Sequence, residues 1–202
     1  MHSNDNEKLL QIIESARKRF SHFGLAKTTM TEIASDIGVS KASLYYYFPD
    51  KEHLFAAVIE REMNDFIERM NVIVDGPGPN SEKLLHYVNE RLASFKQLLN
   101  LGKFESANYD SLKPAFSTLW DDFQKRELRI VGNILEVGVS QGEFAIENIP
   151  LTSKVFVDLT KGLRMVIVKT RDTYILNEDD YSMLQLHQEH FVQLFLKAIS
   201  RT

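Results

Sequence analysis

One short run in the first quarter of the chain is rich in hydrogen-bond donors of the kind that bind nucleic acid. Three consecutive tyrosines at 45–47 stand among serines and lysines. Because successive helical residues diverge by about 100°, three neighbouring rings cannot all face one core, and at least one phenol must face solvent. Phenol, hydroxyl and ammonium groups donate to phosphate oxygens, and an apolar ring edge can pack on a thymine methyl group. The donors in this run are Ser40, Lys41, Ser43, Tyr45, Tyr46, Tyr47 and Lys51.

A first short helix is predicted just before these donors. Thr29 followed by Glu32 has the capping-box spacing, in which each side chain satisfies a backbone N–H that the first helical turn leaves unpaired. The helix is expected to stop at Gly38, since glycine readily adopts the left-handed conformation common at helix ends. Its inward-facing residues, at 3.6-residue spacing, are Met30, Ile33, Ala34 and Ile37.

A second helix is predicted to carry the donors themselves. Ser40 can cap it, and Leu44 and Phe48 lie one turn apart on its buried face. Two capped helices around a glycine turn, within thirty residues, are typical of a helix-turn-helix whose second helix enters the major groove. The alternative, a short surface helix with spare aromatics, is disfavoured by this coincidence of signals. The residues that point away from the buried face are Lys41, Ala42, Ser43, Tyr46 and Tyr47.

This run resembles the amino-terminal domain of the TetR family of bacterial transcriptional regulators. The matching features are Gly24, Thr28-Thr29, Ile33-Ala34, Gly38-Val39-Ser40, Leu44 to Phe48, Lys51-Glu52 and Leu54-Phe55. The resemblance covers about the first quarter of the chain. It implies an all-α fold, with a three-helix helix-turn-helix DNA-binding domain at residues 1–52 and a larger helical ligand-binding and dimerisation domain at 53–202. The candidate DNA-binding residues are then Thr28, Thr29, Ser40, Lys41, Ala42, Ser43, Tyr45, Tyr46, Tyr47 and Lys51.

The composition favours an ordinary globular protein without a membrane segment. Of the 202 residues, 44% are hydrophobic and 26% charged, and no apolar run approaches the roughly 18 residues of a membrane span. The absence of cysteine excludes disulfides and thiolate metal sites. The first residues lack the apolar stretch of a secretory signal, so a cytoplasmic location is expected. We expect neither a cofactor nor a metal.

A net charge of −4 argues against nucleic acid only if the charge is evenly spread. Between residues 16 and 51 six basic residues stand against three acidic ones, so the excess acid lies downstream. The local positive field is modest. Phosphate binding should therefore depend on hydroxyls, backbone amides and helix N-termini as well as on lysine and arginine, with a moderate dependence on salt.

Apolar stripes at helical spacing organise the remainder of the chain. A supporting helix is expected to end at Gly24, and Asp50 is predicted to cap a long helix that begins at Lys51 and reaches about Val74. Two glycines and two prolines between residues 74 and 80 indicate a loop. Further helices are predicted from Ser81, as its N-cap, to 99, from Ala115 to about Gly142, at 151–173 and at 178–200, with a second loop at 100–114.

The last two predicted helices are apolar on more than one face. Such helices either form a deeply buried pair or pack against a second copy of the chain. The second interpretation is favoured, because a helix-turn-helix protein gains affinity and half-site spacing by dimerising, and Gly162 would permit close approach of helices. We therefore expect a homodimer through these two helices.

A small-molecule site is predicted in the larger domain. Arg91, Glu127 and Arg164 fall on apolar stripes, where a charge is costly unless it meets a partner or ligand. Structural ion pairs and snorkelling side chains are the alternative. Several aromatic residues, among them Phe104 and Tyr109, suit an apolar cavity for a small hydrophobic or amphipathic ligand. The candidate ligand-binding residues are Tyr87, Arg91, Phe95, Phe116, Trp120, Phe123 and Glu127.

Catalytic motifs are missing from the sequence. It has no phosphate-cradling glycine loop, no His-Glu-x-x-His and no cysteine nucleophile. His187 and His190 share a helix face and could bind a metal with Glu189 or Asp180, although a solvated polar face that includes Gln188 is the favoured interpretation.

Two hypotheses about function follow from these patterns. The first is a ligand-responsive transcriptional regulator, in the form of a repressor, that binds a pseudo-palindromic DNA operator as a dimer. The alternative is a small-molecule-binding or enzymatic helical domain with a vestigial helix-turn-helix.

Overall fold

The computed structural model describes residues 2–102, 106–170 and 176–201, and it confirms the all-α prediction. In these ranges the chain forms eight helices and, apart from an isolated antiparallel bridge between Phe144 and Ser200, no β structure. The helices are α1 His2–Lys27, α2 Met30–Asp36, α3 Lys41–Tyr47, α4 Lys51–Asp75, α5 Asn80–Gly102, α6 Ser106–Ser140, α7 Ile149–Thr170 and α8 Glu178–Ile199. No helix within these ranges is long and apolar enough to cross a bilayer.

The first three helices pack around a small core of their own residues. Ile12, Ala16 and Phe20 follow one another at single-turn spacing on α1 and are fully buried. Ile33 of α2 and Leu44 of α3 are fully buried as well, and burial of a side chain of this size stabilises the fold by roughly 1.5–3 kcal/mol. Other buried members of this core are Leu25, Met30, Ala34 and Phe48.

The predicted boundaries of α2 and α3 are confirmed. Thr29 and Glu32 form the reciprocal capping box, and Gly38 has a positive φ of 64° in the turn between the two helices. The Ser40 side chain accepts from the backbone N–H of Ser43, and Asp50 caps α4 in the same way. Gly24, with φ of 78°, interrupts α1 where its stripe was expected to end.

The long helix α4 connects the small core to the rest of the molecule. Near its start Phe55 packs edge-on against Phe20 of α1, with ring centroids 5.1 Å apart. Eleven residues later Phe66 contacts Tyr87 of α5 at 6.2 Å and Phe123 of α6 at 5.8 Å. The buried stripe predicted from the sequence is therefore in contact with both parts of the chain, and the hydrophobic core runs through it without a break.

Two predictions about the middle of the chain are wrong. Ser81 is not the N-cap of α5, which begins at Asn80; the carboxylate of Glu143 instead accepts from the backbone N–H groups of Asn80 at 2.8 Å and Ser81 at 2.7 Å. The loop expected at 100–114 is mostly helix, because α5 continues to Gly102 and α6 begins at Ser106. Pro114 lies within α6, so the local preference on which the loop prediction depended was too weak to end the helix.

Candidate DNA-binding surface and ligand site

The α3 helix presents aromatic and basic side chains on its outer face. Leu44 and Phe48 bury the inner face, whereas Tyr46 is 83% exposed and Tyr45 is also exposed. The ammonium group of Lys41 lies 5.7 Å from the centre of the Tyr45 ring, within cation–π range. Tyr47 is half-buried and packs edge-on against Tyr46 at 5.2 Å. Burial, followed by the nearby carboxylate of Asp5, raises the pKa of the Tyr47 phenol, which remains a hydrogen-bond donor at neutral pH.

The α2 helix is fixed by charged contacts with α1. The guanidinium of Arg19 forms a bidentate pair with Asp36 and lies 3.4 Å from Glu32. Hydrogen bonds from Arg19 lower the pKa of Asp36, and hydrogen bonds from Thr29 lower the pKa of Glu32. Because Arg19 contacts α2 at two points, it orients the helix-turn-helix on α1.

Two of the candidate DNA-binding residues are engaged within the protein. Thr28 is only 1% exposed, and its hydroxyl donates to the carbonyl of Gly24 at 2.8 Å. The ammonium group of Lys51 donates to the carbonyl of Leu25, also at 2.8 Å, which leaves two of its three N–H groups for another acceptor. The Lys51 contact holds the end of α1 against the start of α4, and the Thr28 contact closes the end of α1 itself.

The positive field around α3 is weaker than the count of basic residues suggests. Arg17 and Lys18 both lie near Glu14, at 3.0 and 3.7 Å, and Arg19 is paired with Asp36. The remaining basic residues of this region are Lys27, Lys41 and Lys51. Lys27 and Lys41 are exposed and form no ion pair with the described residues. Hydroxyl and phenol donors therefore make up much of the surface available to DNA.

The interior of the second half contains a buried polar cluster where α5, α6 and α7 meet. Oε1 of Glu127 accepts from the phenol of Tyr87 at 3.0 Å and from Nε of Arg91 at 2.6 Å. The guanidinium of Arg91 also lies 5.0 Å from the centre of the Phe123 ring. Burial, and then the charge of Glu127, raise the pKa of the Tyr87 phenol well above its usual range, so it stays protonated.

Arg164 of α7 belongs to the same cluster. It is 2% exposed, and its guanidinium lies 6.0 Å from the centre of the Phe95 ring. Burial, and then repulsion by Arg91, lower the pKa of Arg164 to about 10, which still leaves the group charged at neutral pH. The cluster thus contains two guanidinium groups and one carboxylate.

Comparison with known proteins identifies the family. Residues 12–58 match the model of the bacterial regulatory proteins of the tetR family. The crystal structure of a transcriptional regulator from Cytophaga hutchinsonii is 42% identical and has a TM-score of 0.90, over 96% of this chain and 99% of that one. The chain belongs to the TetR family. It is a transcriptional regulator whose DNA-binding element is the helix-turn-helix of α2 and α3.

More distant similarities extend over nearly the whole chain. The fatty acid metabolism regulator protein of Bacillus subtilis is 24% identical over 182 residues, which are 89% of each protein. A protein from Saccharomonospora viridis, solved in complex with choline, is 18% identical with a TM-score of 0.71, over 98% of this chain and 100% of that one. The second likeness shows the shared fold alone.

The predicted ligand residues of this TetR-family chain fall into two groups. Tyr87, Arg91, Phe123 and Glu127 meet directly, and Phe95 joins them through Arg164. Trp120 borders the group at its surface, 37% exposed and 6.1 Å from Phe123. Phe116 lies apart, against Phe55 near the DNA-binding end. The side chains of Phe104 and Tyr109, which were also considered, lie outside the described residues.

Sequence reasoning misplaced one member of the interior. Gln188 is completely buried, although the sequence pattern predicts it on a solvated face with His187 and His190, which are exposed. Its spacing from Leu184 and Val192, four residues on either side, was the signal that could have placed it on the buried stripe. The proposed metal partners are engaged elsewhere: Asp180 accepts from the N–H of Asn177, and Glu189 from Gln185. In the described ranges no three His, Cys, Asp or Glu residues are placed to bind a metal.

Proposed function

We propose that the protein is a homodimeric, ligand-controlled repressor that acts in the cytoplasm on a pseudo-palindromic operator. The observation that carries the DNA-binding part is the capped α3 helix, whose outer face exposes Tyr46, Tyr45 and Lys41 while Leu44 and Phe48 anchor its inner face. Residues 1–52 supply the DNA-binding domain and residues 53–202 the ligand and dimer domain, with α4 shared between them. No observation favours the enzymatic alternative.

Within that surface the roles divide between base reading and phosphate binding. Lys41, Ser43, Tyr45 and Tyr46 face outward from α3 and read base edges in the major groove. Thr29, Tyr47 and the free N–H groups of Lys51 bind phosphates on either side. Ser40 caps the helix and Ala42 permits close approach, whereas the buried Thr28 acts by holding the start of α2. Because few lysine or arginine side chains on this surface are free of ion pairs, the salt dependence of DNA binding should be moderate.

The dimer interface is formed by exposed apolar stripes on α7 and α8. On α7 the exposed residues Leu151, Val155, Leu159, Gly162 and Val166 repeat at intervals of four, four, three and four. A Cβ atom at Gly162 would meet nothing within 4 Å in the protomer, so its own fold does not require glycine there. A partner helix that approaches closely would require it. The matching stripe on α8 contains Met183, Leu186 and Leu194.

The ligand binds in the second half, next to the buried cluster of Tyr87, Arg91 and Glu127. Buried charged groups inside an aromatic surround are typical of a specific small-molecule site. One curated relative is a regulator of fatty acid metabolism, so amphipathic small molecules are the class to test first. The ligand is small and hydrophobic or amphipathic.

The long helix α4 couples ligand binding to DNA binding, because it contacts both the ligand site and the DNA-binding helices. Its residue Phe66 contacts Tyr87, and its residue Phe55 contacts Phe20 behind the helix-turn-helix. A ligand alters DNA affinity only if it binds one arrangement of the dimer better than another. A small tilt of α4 would move the two recognition helices away from the roughly 34–36 Å that separates successive major grooves.

Selection of bound fragments from the genome, followed by footprinting, tests the DNA-binding function. We expect a protected site with two related half-sites, and the same fragments should go unselected by a Tyr46→Ala, Lys41→Ala double variant that retains its helical circular dichroism. Equal, sequence-independent retention of all fragments by both proteins would overturn the proposal.

A further inference from the structure

The buried cluster of the second half carries one positive charge more than it can neutralise. Arg91 and Arg164 are 5% and 2% exposed, and Glu127, at 5%, is the one carboxylate among the described residues that forms an ion pair with either of them, through Arg91. The other buried acids lie elsewhere: Glu62 is 3.6 Å from Arg17, and Asp180 caps α8. A buried charge without a counter-charge is strongly disfavoured.

The same cluster leaves hydrogen-bonding atoms without partners. Nη1 of Arg91, Nη1 of Arg164 and both amide atoms of Gln188 are buried and make no hydrogen bond in the described part of the chain. Buried polar groups are almost always satisfied, and those that are not call for a specific explanation. Here the unsatisfied donors include one on each of the two arginines that supply the excess charge.

Side-chain contacts between α5 and α7 place the two arginines within about one helical turn of each other in the interior. Tyr87 contacts Phe156 at 6.0 Å, and eight residues further along each helix Phe95 contacts Arg164 at 6.0 Å. The two helices therefore run in the same direction on facing sides of this region, and along α5 Arg91 lies midway between the two contacts. At 1.5 Å per residue, each contact is about 6 Å from that midpoint along the axis.

The antiparallel helix α8 places Gln188 near the level of Arg164. Phe156 contacts Phe195 at 4.8 Å, whereas Ile167, near the other end of α7, shares a cluster with Leu184. Gln188 lies between these two positions on α8 and is fully buried. An arginine from α5, an arginine from α7 and an amide from α8 thus surround one interior region.

We propose that the guanidinium groups of Arg91 and Arg164, with the amide of Gln188, bind the carboxylate of an amphipathic monocarboxylate. The single excess charge matches a monoanion, and one free Nη1 on each arginine matches the two oxygens of a carboxylate. The apolar body of the ligand lies against the aromatic rings around the cluster, such as Phe95 and Phe123. This inference deepens the proposed ligand control and rests on it.

Titration with matched amphiphiles tests the charge preference directly on the wild-type protein. Decanoate, decanol and decyltrimethylammonium, each below its critical micelle concentration, share a tail and differ in the head group. Binding can be followed by calorimetry and by the fluorescence of Trp120, the single tryptophan of the chain. We expect decanoate to bind about 10- to 100-fold more tightly than the other two, the range for a charged hydrogen-bonded head group. Equal affinity, or preference for the cation, would overturn the proposal.

Variants separate binding of the head group from a merely structural role. Arg164→Met should remove the preference for decanoate over decanol, and Gln188→Leu should reduce it, whereas the exposed Lys161→Met on the same helix should leave it intact. If Arg164→Met is unstable, Arg164→Lys serves in its place, because lysine keeps the charge but lacks the planar guanidinium. Arg164→Lys should lower decanoate affinity without abolishing the preference for decanoate over decanol. An unchanged preference in folded Arg164→Met would show that water alone satisfies the cluster and would overturn the proposal.

Operator binding by the same variants without ligand is measured in parallel. It distinguishes failure of the head-group site from failure of the proposed regulatory function. Loss of the decanoate preference with normal operator binding would remove only the head-group inference. Decanoate binding without any specific operator binding would instead support the head-group site and contradict the proposed regulatory function.

Discussion

Individual side chains on α3 differ in what they can contribute to DNA recognition. Tyr45 carries a phenol on the exposed face, and Tyr45→Phe should change preference at particular base pairs by about 1–3 kcal/mol. Lys51→Ala should weaken binding to all sequences alike and lower the salt slope by about one unit. The measurement is operator and mutated-operator affinity against salt, with Lys125→Ala on the exposed face of α6 as the control.

If Tyr45 reads bases and Lys51 binds phosphate, Tyr45→Phe must alter sequence preference and Lys51→Ala must not. Since Lys51 also donates to the carbonyl of Leu25, its variant is compared by thermal unfolding before affinity is interpreted. A sequence-independent loss for both Tyr45→Phe and Lys51→Ala would refute the assignment of Tyr45 as a base reader.

Two glycines of α6 should respond oppositely to the same substitution. A Cβ atom on Gly138 would lie 2.2 Å from the buried ring of Phe144, so Gly138→Ala should destabilise the protein by about 1–3 kcal/mol through overpacking. At Gly132 the nearest atom is Oγ of Ser153 at 3.7 Å, and alanine there should stabilise the helix by up to about 1 kcal/mol. Urea unfolding of both variants measures the difference, and equal midpoints would contradict the described packing of Phe144.

At the scale of whole helices, the N-terminus of α5 depends on a residue from a distant turn. Burial tends to raise the pKa of Glu143, but its hydrogen bonds from Ser81 and Asn80 outweigh this and lower the pKa. A carboxyl group whose pKa is lowered by folding stabilises the protein above its ordinary pKa and loses that effect as the pH falls through the folded-state pKa. Glu143→Gln should therefore cost about 0.5–2 kcal/mol at pH 7, and the difference from wild type should shrink below about pH 4.5.

Chemical denaturation from pH 3 to 8 measures this dependence. Glu147→Gln, an exposed acid four residues further on, provides the control and should stay close to wild type throughout. A cost for Glu143→Gln that is the same at pH 3 and pH 7 would show that the charge of Glu143 does not cap α5.

The contrast between α3 and α5 shows what the sequence could predict. The caps of α2, α3 and α4 are three residues from the N–H groups that they satisfy, so local spacing revealed them. The cap of α5 comes from a residue 62 positions away, and no local pattern identifies it. The same holds for the site: the sequence identifies Arg91, Glu127 and Arg164 as ionisable residues on apolar stripes. Only the fold shows that they lie near one another and that Gln188 is buried beside them.

For the whole molecule, the apolar stripes on α7 and α8 predict a dimer that can be separated without unfolding. Leu159→Glu places a charge in the stripe, where an unpaired buried charge is costly, and should convert the protein to monomers with much weaker operator binding. Val72→Glu replaces an apolar residue on α4 that is more exposed than Leu159, 74% against 49%, and should leave the dimer intact. Sedimentation velocity measures both, and a dimeric Leu159→Glu protein would place the interface elsewhere.

Control of this regulator by a ligand requires that ligand and operator affect each other's binding through α4. The direct measurement is a fluorescence anisotropy titration of the footprinted operator, with and without decanoate at a concentration that calorimetry shows to be saturating. A coupling of about 1–3 kcal/mol between the two sites would change operator affinity by roughly 5- to 150-fold. We predict a change of that size, as a loss of affinity if the ligand acts as an inducer. Operator affinity that stays the same while decanoate is bound would contradict the claim that this regulator responds to its ligand.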